Sequence, residues 1–485
     1  MRFIAPPGRL TEAAVEQAYL SGLDKVPAPV QASRQGDELA LHRVVSESAS
    51  LHLLWPVDGY GQILLTTGTL REREAPYQLP LELARGKVSQ VRHQLFDWQS
   101  AGMVVPDSAR QRVQEATRLI GRAAIDRQNL DASAELAEEA IRVALDAGGL
   151  LAGAYAEQAL AVRRRVQHKL PSFLGANLGG VPLEEYTARQ VLQTFNAAVV
   201  PFVWKDLETS DESFNWDVSD KQIQWCRDNG LTVIGGPLVL FDNRSIPDWL
   251  AAGNFPAVLD AAAYYIEAVV NRYRSVVEFW IAAGRVNTGE LLGFGEEEKV
   301  RLTARSLELI RSLDAGKRAL ISFDQPWGEY LLRRPQDFPP LHFADALIRA
   351  GIGVTGLVLE INLGYRPGGT MCRDPLEFGR QVDYWSMLGV PLYLALTVPS
   401  GSSVDPLAQR RVVLPPDHWT SKSQQTWVTR NLPLLLSKPS VQGIYWNQLR
   451  DSEPHDFPHG GLFDLRRHPK PVLRQLESLR QAHLR

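Results

Sequence analysis

The spacing of apolar residues changes period twice along the chain. Over residues 1 to 80 they form short runs, ELALHRVV, SLHLLWPV and GQILLTTGTL, separated by turn formers that include Asp58-Gly59 and Gly61. This predicts a β-rich N-terminal unit, either a small antiparallel sandwich or a sheet packed on the next segment of chain. Trp55, Tyr60 and Tyr77 within it read equally as sugar-stacking rings or as core. From about Leu79 the period becomes helical, with apolar residues three and four apart in LPLELARGKVSQVRHQLFDWQSAG, DSARQRVQEATRLIGRAA and DASAELAEEAIRVAL. Residues 81–168 are therefore expected to be a helical connecting region. Asp131 and Ser133 mark a helix start and Gly148-Gly149 a break, while Arg163, Arg164 and Arg165 read as a solvated face.

Beyond Pro171 the period alternates. Apolar β-type runs occur at SFLGANL, TFNAAVVPFVW, LTVIGGPLVLF, VVEFWIAAG, RALISFD, VTGLVLEINL, VPLYLALTV and VQGIYW, with helical stretches between them. Leu259, Ala262, Ile266, Val269, Tyr273 and Val277 form one helical stripe, and Phe378, Val382, Trp385 and Leu388 another. Eight buried strands, each followed by a helix, predict an α/β fold of the (β/α)8 TIM-barrel type over residues 169–485. A doubly wound sheet is the competing arrangement, but no glycine-rich fingerprint follows the first strand to hold a nucleotide.

Composition narrows the partners. The chain has 485 residues, 45% hydrophobic and 22% charged, with a formal charge of -3 and no basic block, which argues against nucleic acid. No apolar run reaches the roughly 18 residues a membrane span needs, and MRFIAPPGRLTEAA lacks the apolar core of a secretory signal. A cytoplasmic protein is expected unless a leader has been removed. Cys226 and Cys372 are isolated and lack metal-type spacing, so neither a disulfide framework nor a metal is predicted, and no cofactor is called for.

The barrel segments, in order, resemble glycoside hydrolase family 10, the endo-xylanase type. SFLGANL matches its first strand, FNAAVVPFVWKDLE followed by FNWDVSD its second, GLTVIGGPLVLF with IPDWL its third, and RYRSVVEFW the approach to its fourth. AGIGVTGLVLEINL matches the sixth strand, and GIYWNQLRD with GLFDLRRHPKP the eighth strand and closing helix. The resemblance implies a carbohydrate partner. It also implies a proton-donating Glu after the fourth strand and a nucleophilic Glu on the seventh, but those places hold Gly284-Arg285 and Leu396. The family's sugar-binding His falls on Gly236, and its Trp-His pair on Leu240 and Phe241.

Cleaving a glycosidic bond takes two carboxyl groups, so a substitute pair is sought at strand ends. Glu360 in GLVLEINLGY closes the sixth strand where the family has Gln; Asp324 closes the fifth, with Trp327 and Glu329 beyond it; Glu290 lies in the loop after the fourth. A hydrolase that uses Glu360 as one of its two carboxyls is expected to hold it roughly 5 to 10 Å from Asp324, Glu290 or another carboxyl across an open cleft. Arg285 would depress a neighbouring carboxyl or bind a uronate or sulfate group. Equally, Glu360 with Arg285 makes a buried structural ion pair, Asp324 caps a turn, and Glu290 heads a helix. Lys205, Glu208, Asn362 and Trp446 occupy places that bind sugar in the family, and each also has an ordinary structural role. His455, Asp456 and His459 resemble metal ligands but lack a further one. The two functions left standing are a glycoside hydrolase with a displaced carboxylate pair and an inactive barrel that binds a glycan or a protein.

Overall fold

The computed structural model describes residues 1–43, 46–410, 412, 414 and 419–485. Eight parallel strands form its centre: β1 (Phe173–Asn177), β2 (Ala197–Val200), β3 (Thr232–Gly235), β4 (Val277–Gly284), β5 (Arg318–Asp324), β6 (Gly356–Asn362), β7 (Leu392–Thr397) and β8 (Val441–Trp446). Pairing runs β3-β2-β1-β8-β7-β6-β5-β4, and β3 joins β4 to close the ring. The fold is a (β/α)8 TIM barrel with an added N-terminal β-rich region. Its strands are the eight apolar runs of the sequence.

Each strand is buried on both faces, which is why its run is nearly continuous rather than alternating. Ile281, Leu320 and Val358 fill the interior with the rings of Phe173, Phe279 and Tyr393, whose centroids lie 5.5 Å apart in each pair. Residues of the opposite parity, such as Leu357, Leu359 and Ile361, pack outward against the helices. The interior is therefore a filled core, and space for a ligand opens only above it.

Two four-stranded sheets form the N-terminal region. One holds Arg2–Ile4, Gln31–Gln35, Glu38–His42 and Tyr77–Gln78; the other holds Tyr19–Ser21, Pro27–Ala28, Ser50–Val57 and Gly61–Thr66. Three helices follow, α1 (Leu79–Ser100), α2 (Asp107–Ile125) and α3 (Leu130–Val166). Strands, α1 and α3 share one apolar core, into which the barrel inserts Met371. Trp55 and Tyr77 belong to that core, and the Tyr60 hydroxyl donates to Asp146 at 2.8 Å, so none of the three is a free sugar platform.

The expected break at Gly148-Gly149 is absent. α3 runs for 37 residues through both glycines, capped by Asn129 rather than started at Asp131. A glycine costs a helix only about 1 kcal/mol, and Ala144, Ala147 and Leu151 on either side are buried against α1 and the barrel's Leu376. Packing outweighs propensity here.

Helix α1 is fixed to the barrel by a sealed ion pair. Lys87 Nζ meets Asp374 Oδ2 at 2.6 Å with both side chains at most 3% exposed. Asp374 also caps helix Pro375–Ser386 by accepting from the amides of Leu376 and Glu377. Truncating one member of a buried pair strands the other charge. Lys87→Ala should therefore cost about 3–5 kcal/mol in urea unfolding, whereas Lys87→Met with Asp374→Leu should lose much less.

Candidate active site

Asp324 and Glu360 are register partners at the tops of β5 and β6. Strand side chains alternate, and Leu320 and Val358 point into the barrel. Asp324 and Glu360 therefore also point inward, four and two residues further on, with Asn362 one step above. The Asn362 amide nitrogen lies 3.1 Å from Glu360 Oε1 and 3.4 Å from Asp324 Oδ1, so one group touches both carboxyls.

Arg285 leaves β4 in a left-handed backbone conformation, φ 56°, which costs a non-glycine residue on the order of 1 kcal/mol or more. That turn aims its guanidinium across the barrel mouth. Nη2 meets Glu360 Oε1 at 2.8 Å and Nε meets Oε2 at 3.1 Å, while Nη1 meets Asp456 at 3.0 Å and Asp242 at 3.6 Å. Arg244 contacts Asp242 at 2.6 Å and Asp456 at 2.9 Å. Arg410 adds contacts of 3.2 Å to Asp456 and 3.7 Å to Asp242. Three guanidiniums thus neutralise three carboxylates.

Asp324 is a fourth carboxyl outside that balance. It accepts from Thr288 Oγ1 at 3.0 Å and Gln325 Nε2 at 3.2 Å, and Asn287 clamps its backbone on both sides. Burial first, then the charge of Glu360, push it up to about 6 against the pull of Arg285 and Arg410. Burial acts upward on Glu360 as well, but the charge and hydrogen bonds of Arg285, helped by Asn362, bring it below the ordinary carboxylate range. Two neighbouring acids are thereby driven apart, one able to hold a proton near neutrality and one ionised.

A cavity of about 690 Å³ opens above them. Asp324 and Arg285 reach its floor; Phe241, Thr288, Tyr330 and Thr370 stand on loops after β3, β4, β5 and β6. Gly289 is required beside Thr288, since any side chain there would collide with the Phe241 carbonyl. The N-terminal region supplies part of the wall through Glu16, Gln17, Leu54 and Gln62. It is held there by the Leu64 amide donating to the Cys372 carbonyl at 2.8 Å.

The predicted residues divide among floor, rim and core. Arg285, Asp324, Glu290 and Glu329 reach the cavity. Glu290 pairs with Arg334 at 2.5 Å on the exposed rim, whereas Glu329 is sealed in a buried pair with Arg373 at 2.8 Å and is not free for a sugar. Glu360 lies off the cavity wall, although Asp324, which lines it, is the more enclosed of the two at 1% exposed against 6%; the two stand side by side in the sheet, so the expected pair across an open cleft is not formed. Glu208 accepts from Trp204 Nε1 at 2.7 Å and the Glu212 amide at 3.0 Å, which fixes its loop. Lys205 points outward to Asp248 at 2.6 Å. Trp327 is buried edge-on to Phe378, and Trp446 is buried with its Nε1 donating to the Gly460 carbonyl, so neither ring offers a face to the cavity. Arg285 is saturated by carboxylates and is not free for an anion. The sequence reading missed Asp242, Arg244 and Arg410. His455 and His459 turn to Asp405, while Asp456 joins the arginines. No metal-holding group of His, Cys, Asp and Glu occurs among the described residues.

A family model described as glycosyl hydrolase family 10 matches residues 185–285, from the first barrel helix through β4 to Arg285. Native xylanase 10B from Thermotoga maritima has the same barrel, with a TM-score of 0.50 at 15% identity over 65% of this chain and 98% of that one. This is a family-10-like barrel. Xylanase 10B from Thermotoga petrophila in complex with xylobiose gives a TM-score of 0.49 at 15% identity, over 67% and 97% of the two chains. The family 10 protein from Paenibacillus barcinonensis gives 0.49 at 14%, over 68% and 98%. Comparison with curated proteins finds no match. At such identities the likeness to solved structures is one of fold, and the family-10-like barrel is glycoside hydrolase-like in that sense.

The raised proton affinity of Asp324 carries a cost in stability. An unfolded Asp titrates near 3.9, so the folded state binds this proton more tightly, and stability falls as pH climbs from there through about 6. Asp324→Asn removes that loss. Its unfolding free energy should match the wild type near pH 4 and exceed it above pH 7 by on the order of 2–3 kcal/mol, read as a higher melting temperature there; equal melting at both pH values would contradict this assignment.

Proposed function

We propose that the family-10-like barrel hydrolyses glycosidic bonds of an oligo- or polysaccharide held in the cavity, with Asp324 as the proton-transfer group and Glu360 as its fixed anionic partner. The observation that carries this reading is the separation of the two carboxyls: Asp324 faces the cavity with its proton affinity raised to about 6, directly beside an ionised Glu360. Asp324 would donate its proton to the glycosidic oxygen as the bond to the anomeric carbon breaks. The Glu360 charge would offset the positive charge developing on the sugar. Water then adds to that carbon and returns a proton to Asp324. Glu290 and Arg334, exposed at the rim, would serve as sugar-binding positions.

One observation favours a second reading, a glycan-binding barrel without turnover. Glu360 Oε1 accepts from Arg285, Asn362 and Asn447, and Oε2 from Arg285, which leaves no free carboxylate to attack carbon.

Hydrolysis of neutral and acidic glycans, followed by reducing-end release, separates the two. With an acid that must be protonated, kcat/KM should fall as pH rises through about 6. Asp324→Asn should lower it about 10²–10⁴-fold and abolish that limb of the profile. Glu360→Gln should also reduce turnover while leaving saccharide affinity nearly unchanged. Saccharide binding with no turnover by the wild type would establish the second reading.

A further inference from the structure

Six arginines line the cavity, and not all of them are held by its carboxylates. Arg244, Arg285 and Arg410 are matched by Asp242, Glu360 and Asp456, and Arg334 by Glu290. Two cavity arginines are left. Arg366, on the loop after β6, and Arg333, after the turn Glu329–Leu332, have no side-chain hydrogen bond or ion pair among the described residues, and both line the cavity. Arg366 is half-buried; desolvation dominates its surroundings, and its charged neighbours are Arg333, Glu16 and the Cys372 thiol. Burial holds that thiol neutral, up to about 11. Glu16 sits on the exposed face of a short N-terminal helix and is the weakest of these influences.

Arg333 is exposed, so the half-buried Arg366 is the one that gains most from an anion, and guanidinium forks match planar or tetrahedral oxyanions by paired hydrogen bonds. Both arginines stand on the same cavity as Asp324. Its volume, about 690 Å³, is enough to take the charged unit of a saccharide.

We propose that Arg366 and Arg333 form an oxyanion subsite, and that the saccharide taken by this barrel is acidic, bearing a carboxylate or sulfate on the sugar beside Asp324. That a saccharide occupies the cavity rests on the functional reading above; the preference for a negative charge rests on the two arginines alone.

Binding tests this without requiring turnover. D-glucuronate, D-glucose 6-sulfate and D-glucose would be titrated into the full chain and followed by ligand-observed NMR at low and high potassium chloride. At least one anionic sugar should bind about 10-fold or more tightly than glucose, with the margin shrinking in salt. Which of the two binds assigns carboxylate or sulfate. Arg366→Ala should bring the three sugars to parity with the melting temperature unchanged, and Arg366→Lys should restore part of the margin. Equal binding of glucose, no binding of any of the three, or a preference that survives Arg366→Ala and Arg333→Ala would overturn the subsite. Charge-selective binding without glycan cleavage would keep the subsite and remove the hydrolase; cleavage of neutral glycans without selectivity would do the reverse.

Discussion

The strand ends of this barrel depend on one guanidinium. Arg285 joins four segments distant in sequence: the end of β4, Asp242 after β3, Glu360 on β6 and Asp456 after β8. Taking so many charges out of water is tolerable only because the set is complete and satisfied in hydrogen bonds, and loss of one member would expose the desolvation cost of the others. The left-handed backbone at Arg285 is strain that its three carboxylate contacts offset. Since the network balances without Asp324, that carboxyl is the odd one, and its shifted proton affinity follows from charge counting and burial rather than from any special bond. The chemistry proposed for Asp324 is thus a by-product of how Arg285 is held.

Much of the fold was legible because it depends on period. Runs buried on both faces gave eight strands in the right order, and alternation from Leu320 and Val358 carries Asp324 and Glu360 inward at the barrel mouth. The site was less legible because it depends on which loop ends meet. Asp242 and Arg244 stand in FDNR after the third strand, where charge at a strand end was the available signal. Arg410 and Asp456 carried none, since their pairing spans loops after different strands. Asp456 groups with His455 and His459 by proximity in sequence, yet backbone direction sends it to the arginines and the histidines to Asp405. Trp327 and Trp446 show the same limit: an aromatic at a strand end reads alike whether its face is open or packed.

Glu360 illustrates how a residue can be placed correctly and still change meaning. Its position on a buried strand end demanded a partner, and Arg285 is that partner. A carboxylate held by Arg285, Asn362 and Asn447 contributes through its charge and not through a mobile lone pair. An ionised group fixed under a cavity floor is preorganised and needs no rearrangement as charge develops above it, which is why its burial fits electrostatic support better than nucleophilic attack.

The N-terminal sheets alter the barrel in a way that barrel residues alone do not. Leu54 and Gln62 come from paired strands, and the Leu64–Cys372 hydrogen bond ties that sheet to the loop after β6. The same loop, which also carries Arg366, buries Met371 in the N-terminal core. The partial burial of Arg366 strengthens the charge interactions it makes, attraction to an anionic ligand among them. The sheet therefore acts on the site through dielectric and position, so that changes to its packing should be felt first in charge recognition and only then in the barrel beneath.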